Sequence, residues 1–314
     1  FVSSMGNPLE QLSPRFSLSY NITPELTFNA NVGRYFQLPP YTVFGFRDET
    51  GSLVNRDNQI KYITNDHLVG GFQYVFPKNT KVSVEAFYKD YDNYPFSLRD
   101  GISLANQGAD FGVIGNEPVR SIGEGRAYGV EFLVQRKLYK GLYGIAALTL
   151  VRSEFSDLDG DFAPSTWDNG YILSITAGKK FKKNWEFGTR LRALGGTPFT
   201  PFDRQVTSLR QVWDVRGQGV FDFDRLNTLR NPNVYQIDVR LDKKYFFDKW
   251  SLNLYIDIEN VTNNQFELEP FVDVERDNGG SPVVNPDDPS RYLLSSIPNS
   301  VGTFLPSIGV VIEF

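Results

Sequence analysis

Three aspartates in one loop are the first candidates for chemistry in this sequence. Asp157, Asp159 and Asp161 stand at alternate positions around a glycine, as carboxylates do at the start of a calcium-binding loop. The complete loop needs a glutamate about twelve residues from the first aspartate, and Trp167 and Asp168 occupy that region instead. A solvated acidic loop tip is therefore the simpler interpretation, with calcium binding left open beside it.

Other residue types that carry chemistry are scarce. The 314 residues include no cysteine and one histidine, His67, so disulfides, thiolate metal sites, multi-histidine metal sites and histidine-based triads are excluded. His67 stands at the start of a predicted strand, where a rim position is a simpler interpretation than a ligand or a base. We assign no catalytic residue and no metal ligand, and we expect no cofactor.

Charge and hydropathy narrow the possible partners. The net charge is −5, and the lysines and arginines are scattered, so there is no basic stripe for nucleic acid. The mean hydropathy is −0.32, and the chain lacks an apolar run of about 18 residues, which excludes helical membrane spans.

Alternation of apolar and polar residues with a period of two runs through most of the chain. Residues 234–242 (VYQIDVRLD) and 250–259 (WSLNLYIDIE) are the clearest cases, and this pattern predicts strands with one apolar and one polar face. We predict about eleven strands of about ten residues each, and no helix. They lie near 15–20, 26–32, 68–76, 82–89, 128–135, 142–151, 171–177, 185–192, 234–242, 250–259 and 307–314.

The connections between these strands alternate between short and long. The short ones are 21–24, 77–79, 139–141, 182–184 and 247–249, and the long ones are roughly 36–66, 94–126, 157–170, 195–233 and 264–303. Loops of this length are uncommon in soluble domains, whereas outer-membrane barrels combine short periplasmic turns with long extracellular loops. The sequence therefore predicts an all-β transmembrane antiparallel β-barrel in contact with outer-membrane lipid.

Aromatic residues cluster beside the short turns, as expected for a girdle at a membrane surface. They are Tyr20, Phe76, Tyr139, Phe181, Trp185, Tyr245, Phe246, Phe247 and Trp250. A soluble sandwich or propeller is the alternative. Propeller blades repeat at a similar spacing, but they do not alternate very short turns with very long loops.

Four segments resemble parts of TonB-dependent outer-membrane receptors. LSPR at 12–15, with the following NITPELTFNANVGRYFQLPP, is similar to a hairpin of that family, and AYGVEFLVQRKL at 127–138 is similar to its Gly-Val-Glu strand. RNPNVYQIDVRLDKKYFF followed by WSLNLYIDIENVTNNQFE resembles a late hairpin, and the terminal SIGVVIEF, ending in Phe314, resembles the C-terminal strand. Their order and spacing cover essentially the whole chain.

The resemblance implies a large plugged transporter of 22 strands. The eleven strands predicted for this chain are half of that number. We therefore expect residues 1–314 to form the C-terminal part of the barrel, with the plug domain and the early strands absent from this chain. Alone, eleven strands would leave two edges in lipid, where each unpaired backbone group costs several kcal/mol. The resemblance also implies the outer membrane of a Gram-negative bacterium, a plug and the TonB system as partners, and no enzymatic activity.

Charged residues on the polar strand faces are expected to point into the lumen. They are Glu131, Arg190, Arg192, Asp238, Arg240, Asp257 and Glu259. Salt bridges and hydrogen bonds to the plug are their expected role, and contact with a substrate deep in the lumen is the lesser alternative.

Aromatic residues of the long loops are the candidates for binding a ligand, because exposed aromatics mark recognition surfaces. They are Tyr94, Phe96, Phe199, Phe202, Trp213 and Tyr292. Packing of loop on loop is the alternative role. A receptor that imports a scarce ligand is the favoured function, and a passive porin or structural barrel is the alternative. The sequence does not distinguish between iron–siderophore, cobalamin, glycan and peptide ligands.

Overall fold

One antiparallel sheet of eleven long strands dominates the computed structural model, which describes residues 11–107 and 113–314. The strands are β1 (Arg15–Asn21), β2 (Leu26–Gln37), β3 (Ile63–Phe76), β4 (Thr80–Ser97), β5 (Val119–Tyr139), β6 (Leu142–Ser156), β7 (Phe162–Pro164), β8 (Tyr171–Lys180), β9 (Trp185–Leu194), β10 (Pro198–Phe199), β11 (Leu229–Arg230), β12 (Val234–Phe246), β13 (Ser251–Glu259), β14 (Phe266–Val274), β15 (Leu294–Val301) and β16 (Leu305–Glu313). The long strands pair in chain order, β1-β2-β3-β4-β5-β6-β8-β9-β12-β13-β16, with β7 beside β6. The predicted all-β fold is confirmed.

Short helices occur in two of the long loops, where the sequence predicted none. They are α1 (Tyr41–Gly45), α2 (Val54–Asp57), α3 (Arg204–Ser208) and α4 (Arg210–Arg216), with 3₁₀ turns at Leu104–Asn106, Lys182–Asn184 and Phe223–Arg225. Helices of one or two turns carry no periodic apolar stripe, so hydrophobic periodicity does not reveal them. In the part of the chain that the structure describes, no helix is long and apolar enough to cross a membrane.

The strand register confirms the predicted faces. One apolar row of directly paired residues crosses nine strands, through Tyr20, Phe28, Phe72, Val84, Phe132, Leu148, Leu173, Ala193 and Tyr235. The adjacent row, which faces the other way, begins with Ser19, Asn29, Gly71, Glu85 and Glu131. We call these the apolar face and the polar face. In a membrane barrel the apolar face meets lipid and the polar face lines the lumen.

The apolar face ends at a row of charged residues. Directly beyond Val32 and Leu68, the same face carries Arg34, Asp66, Asp90, Arg126 and Glu154 in register. Arg34 and Asp66 form a salt bridge of 2.5 Å, and Arg126 and Glu154 one of 2.8 Å. Charges in this position mark the level at which the strands leave the hydrocarbon.

Three strands continue well past this charged row. β4 has 18 residues, β5 has 21 and β6 has 15, so the prediction of about ten residues was wrong for them. The loop predicted at 94–126 accordingly shrinks to 98–118. Backbone pairing outside the membrane follows the same alternation as inside it, so the pattern does not mark where lipid ends.

The two ends of the sheet differ in the length of their connections. Turns of two to four residues join β1 to β2, β3 to β4, β5 to β6, β8 to β9 and β12 to β13. The predicted girdle residues lie at this end, which we call the short-turn end, and Phe76, Phe181 and Phe246 there are exposed. The other connections form the long-loop end, where most of the buried residues of the chain lie.

The sheet is open within the described residues. β1 pairs with β2 and β16 pairs with β13, and the two outer edges do not pair with each other. A barrel in a bilayer must satisfy both edges.

Candidate ligand-binding and lumen-facing surfaces

Asn55 joins the loop between β2 and β3 to the loop between β4 and β5. It is fully buried, and its side-chain amide donates to the carbonyl oxygens of Val43 and Glu117, each at 2.8 Å. Its Oδ1 accepts from the N–H of Val119, also at 2.8 Å. Val43 and Val119 belong to a small apolar cluster with Ile60, so Asn55 supplies the polar bonds of a folded loop core.

Asn227 joins three long loops in the same way. It is buried, and its Nδ2 donates to the carbonyl oxygens of Asn106 at 3.3 Å and Pro164 at 2.8 Å. Its backbone N–H donates to Thr200 Oγ1 at 3.0 Å. Segments from the β4–β5, β6–β8 and β9–β12 connections therefore share one hydrogen-bond hub.

Asp168 is the buried acid of the loop end. Its side chain has no exposed area, and it forms salt bridges with Arg152 at 3.0 Å and with Arg230. It also accepts the backbone N–H of Ser153 at 2.9 Å. A buried carboxylate with two arginine partners and a backbone donor is well compensated, so this group fixes the β6–β8 loop against β11.

The last long loop contains a hairpin that the sequence did not predict. β14 and β15 pair antiparallel, and Val274 and Tyr292 pack with Trp213 of α4 in a second buried cluster. The Tyr292 hydroxyl donates to Asp214 at 2.9 Å, and Arg291 Nη1 donates to Ser208 Oγ at 2.7 Å. The β9–β12 and β13–β16 connections are thus packed together.

These contacts decide how the six predicted ligand-binding aromatics are placed. Phe96, Trp213 and Tyr292 are buried, and Tyr94 packs against the first apolar cluster. Their side chains pack between loops, the alternative that the sequence left open. Phe199 and Phe202 are partly exposed. Contact of all six with a ligand stays a prediction.

A stack of three phenylalanines leaves an exposed ring in the loop between β9 and β12. The rings of Phe202 and Phe221 stack with centroids 4.7 Å apart, and Phe223 lies 6.2 Å from Phe221. Phe221 is 40% exposed. A Cβ on Gly219 would come within 2.5 Å of the Phe202 ring, so only glycine leaves room for the ring there. We call these three residues the phenylalanine stack.

Asp157 stabilises a loop tip. Its Oδ1 accepts the backbone N–H groups of Asp159 at 3.0 Å and Asp161 at 2.9 Å, and Gly160 adopts a positive φ of 86°. Within the described residues, no group of three or more ligand-type side chains is arranged to hold a metal ion. The geometry matches the solvated acidic tip, and calcium binding stays untested.

The same tip recurs in two other loops. Asp48 and Asp277 each accept two backbone N–H groups of their own turn, from the residues two and four positions later. Gly51 and Gly280 take positive φ values of 81° and 83°. All three tips close a turn with an aspartate side chain and a left-handed glycine.

On the polar face, Asp238 collects several donors. It is 5% exposed, and Arg190 lies 2.7 Å and Arg192 3.5 Å from its carboxylate. Gln236 Nε2 and the backbone N–H of Asn260 also donate to it, at 2.7 and 2.9 Å. The structure therefore brings three of the predicted lumen-facing residues together, two arginines around one carboxylate.

Arg240 lies beside this group on β12. It forms salt bridges with Asp242 at 2.9 Å and Asp257 at 3.4 Å, and its guanidinium lies 3.8 Å from the centre of the Tyr255 ring. Glu259 is exposed at the end of β13. The polar face of β9, β12 and β13 thus satisfies most of its charge by itself.

Glu131 is different. It stands directly opposite Glu85 on the neighbouring strand, on the polar face. In residues 11–107 and 113–314, neither carboxylate forms a salt bridge. Like charges directly across an antiparallel pair repel, so this pair favours a cation from another segment.

His67 lies within β3 rather than at its start. Its ring centre is 4.4 Å from that of Tyr35, and the guanidinium of Arg15 lies 4.4 Å from the centre of the same Tyr35 ring. His67 therefore packs against an aromatic ring on the polar face, and its role as a rim residue, ligand or base stays a prediction.

Glu269 is an unpaired acid in the β14–β15 hairpin. Its Oε1 is buried without a hydrogen-bond partner in the part of the chain that the structure describes, while its backbone N–H donates to Asn231 Oδ1 at 2.8 Å. Burial raises the pKa of Glu269 to about 7. The hairpin therefore carries a carboxyl group that titrates near neutral pH.

Comparison with known proteins identifies a family with this architecture. The family profile described as "TonB dependent receptor-like, beta-barrel" matches residues 3–261. The comparison with curated sequences gives no significant match.

Solved structures share the fold at low sequence identity. The pyoverdine outer membrane receptor FpvA from Pseudomonas aeruginosa PAO1, bound to pyoverdine, is 13% identical with a TM-score of 0.58, and the match covers 96% of this chain and 36% of that one. The FrpB iron transporter from Neisseria meningitidis is 15% identical with a TM-score of 0.56, covering 96% and 39%. The ferric yersiniabactin uptake receptor FyuA from Yersinia pestis is 12% identical with a TM-score of 0.54, covering 96% and 37%. This chain thus spans about a third of the length of the chains it matches.

Proposed function

Because the chain belongs to the family of TonB-dependent receptor-like β-barrels of the outer membrane, we propose that it forms the C-terminal part of a receptor that imports a ligand through a plugged barrel. The folded layer of long loops carries this proposal. Asn55, Asn227 and Asp168 tie the loops into one body at the extracellular end, as capture of a ligand before transport requires.

The phenylalanine stack is the proposed contact for the ligand. The ring of Phe221 is 40% exposed, whereas Phe96, Trp213 and Tyr292 of the candidate set are buried. A flat apolar surface in a polar loop layer suits a ligand with an aromatic or apolar portion.

The plug is the proposed partner of the unpaired carboxylates. Glu85 and Glu131 lie on the face proposed to line the lumen and form no salt bridge among the described residues, while Asp238 and Arg240 are already paired. A basic side chain from a plug domain would compensate the pair, and the remaining strands of the barrel would close the open edges of β1 and β16. The TonB system is the proposed energy source.

An uptake assay tests the proposed function. A strain that lacks the gene is supplied with ferric siderophores, cobalamin, oligosaccharides and peptides in turn, and growth or label uptake is compared with the complemented strain. Import of one ligand that stops when TonB is removed supports the proposal. Uptake that continues without TonB, together with ion conductance in planar bilayers, would instead identify the passive porin.

Two alanine variants test the proposed contact. Phe221→Ala removes an exposed ring and is expected to weaken ligand binding about tenfold, because a well-packed aromatic contact contributes roughly 1–2 kcal/mol. Phe162→Ala removes a comparably exposed ring from β7 and serves as the matched control. Equal binding by both variants would remove the phenylalanine stack from the site.

A further inference from the structure

Lysine is concentrated at the short-turn end of the sheet. Eleven of the thirteen lysines lie within four residues of a short turn, the exceptions being Lys61 and Lys89. At the long-loop end, most cations are arginines, and several of them form salt bridges. The short turns of outer-membrane barrels face the periplasm, so this lysine-rich rim lies at the periplasmic leaflet.

Register divides these cations between the two faces of the sheet. Arg136 pairs with Gly144, Lys179 with Leu142 and Lys243 with Leu254, all in rows of the apolar face. Lys81, Lys180 and Lys244 occupy rows of the polar face. The first group points away from the lumen, toward the membrane.

Several cations of the short-turn end lie close to rings of the aromatic girdle. Arg136, Lys78 and Lys140 lie 5.3, 5.9 and 5.7 Å from the centre of the Tyr139 ring. Lys243 lies 5.3 Å from the ring of Trp185 and 5.1 Å from that of Tyr245. Cations over ring faces at a membrane surface are held at the level of the lipid headgroups.

Two hydrogen bonds link neighbouring hairpins at this end. The Nζ of Lys179 donates to the carbonyl oxygen of Lys140 at 3.1 Å, and the Nζ of Lys243 donates to the carbonyl oxygen of Lys183. Four hairpins contribute cations to this end of the sheet, and we define the cationic rim as Lys78, Arg136, Lys140, Lys179 and Lys243.

This cationic rim has no counter-charge of its own. None of its five members forms a salt bridge in the described part of the chain, whereas Lys180 on the polar face pairs with Glu186. Arg136 Nε is also buried without a hydrogen-bond partner. Cations left unpaired beside lipid attract an anion from outside the protein.

We propose that the cationic rim binds the headgroups of anionic phospholipids in the periplasmic leaflet, with the phosphate held by the three cations around Tyr139. A protein partner that arrives through the lumen would meet the polar face instead, where Lys81, Lys180 and Lys244 lie. Each cation near an anionic lipid surface contributes about a fivefold gain in binding.

Lipid retention tests the proposal on the full-length protein. Purified protein is reconstituted in phosphatidylethanolamine with a minor fraction of phosphatidylglycerol, re-extracted in neutral detergent, and its retained lipids are measured by mass spectrometry. We expect phosphatidylglycerol to be enriched on the wild type. In the triple variant Lys78→Gln, Arg136→Gln, Lys140→Gln, this enrichment should be at least tenfold lower than in the wild type.

The matched control removes the same charge from the other face. Lys81→Gln, Lys180→Gln, Lys244→Gln should keep the enrichment of the wild type. Equal loss in both triple variants, loss in the control alone, or no enrichment on the wild type would each overturn the proposal. If the first triple variant does not fold, the exposed single variants Lys78→Gln and Lys140→Gln are measured, each with an expected loss of about fivefold.

Discussion

The long-loop end and the short-turn end of this sheet differ in where their polar groups find partners. At the long-loop end, Asn55, Asn227 and Asp168 are buried, and each is bonded to segments far away in the chain. At the short-turn end, Lys78 and Lys140 stand on an aromatic ring without a carboxylate. These three loop residues find their partners within the protein, whereas the two lysines have no salt-bridge partner among the described residues. We therefore expect the loops to be stabilised by contacts within the protein and the turns by lipid headgroups.

The largest effect is expected from Asp168→Ala. It removes the shared partner of Arg152 and Arg230, which are partly exposed, and leaves the backbone N–H of buried Ser153 without an acceptor. Because hydrogen bonds to a charged group contribute about 1.5–3 kcal/mol each, we expect a loss of about 3 kcal/mol. Hydrogen exchange measured by mass spectrometry should show faster exchange in the β6–β8 loop and in β11. Asp161→Ala, at the exposed tip of the same loop, is the control. If both variants exchange alike, the loop end is not stabilised from within, and the comparison fails.

Asn227→Ala should have the next largest effect. The carbonyl oxygens of Asn106 and Pro164 lose their donor, and an unsatisfied buried polar group costs about 1–3 kcal/mol. Limited proteolysis should cut several long loops faster, since one hub joins three of them. The exposed Asn278→Ala should leave the cleavage rates unchanged. Faster cleavage confined to the β9–β12 loop would show that the hub does not couple the loops.

Glu269 is expected to make the stability of the β14–β15 hairpin depend on pH, with a smaller effect than the two substitutions above. Its raised pKa of about 7, against 4.5 for the ordinary group, means that the folded hairpin prefers the protonated carboxyl. The stabilisation is therefore complete below about pH 4.5 and is lost as the pH rises through about 7. It amounts to about 1 kcal/mol once solvent screening of this half-exposed side chain is included.

A spin label at Ser281 checks this dependence. The label should become more mobile between about pH 5 and pH 8 in the wild type, because the ionised carboxyl destabilises the docked hairpin. Glu269→Gln should abolish the change, and the exposed neighbour Glu267→Gln should keep it. A change that persists in Glu269→Gln would assign the titration to another group.

The smallest effect is expected at the short-turn end. Lys183 has a positive φ of 60°, a conformation that glycine adopts without strain, so Lys183→Gly should stabilise the barrel by about 0.5–1 kcal/mol. Lys182, whose φ is not positive, is the matched control, and glycine there should destabilise by a similar amount. Urea unfolding in lipid vesicles measures both. The same sign for the two variants would show that side-chain contacts, not the backbone, decide the stability of this turn.

Much of the sheet could be predicted from the sequence because its information is local. Alternation assigns Tyr235 and Ile237 to one face and Gln236 and Asp238 to the other within a few residues, and the register confirms it. The strand ends were less predictable, since β4 and β5 continue their pairing beyond the lipid.

The loop layer could not be predicted in the same way. Asn227 and its partner Asn106 are separated by 121 positions, and no local pattern links them. Trp213 and Tyr292 are likewise buried because the β14–β15 hairpin packs against α4. From the sequence alone, an aromatic residue in a loop is equally consistent with ligand recognition and with packing. In the sequence, Asp168 drew attention only because it stands where a calcium-binding loop would have a glutamate. In the structure, its salt bridges anchor the β6–β8 loop.

The three aspartate–glycine tips at Asp48, Asp157 and Asp277 have a practical consequence for engineering. Each tip is exposed and is closed by hydrogen bonds within five consecutive residues, so a peptide inserted there interrupts no bond to another loop. Surface sites of this kind tolerate insertion, whereas insertion beside Asn55 or Asn227 would separate bonded loops. The tips are therefore positions at which we expect this barrel to accept an inserted peptide without loss of its loop contacts.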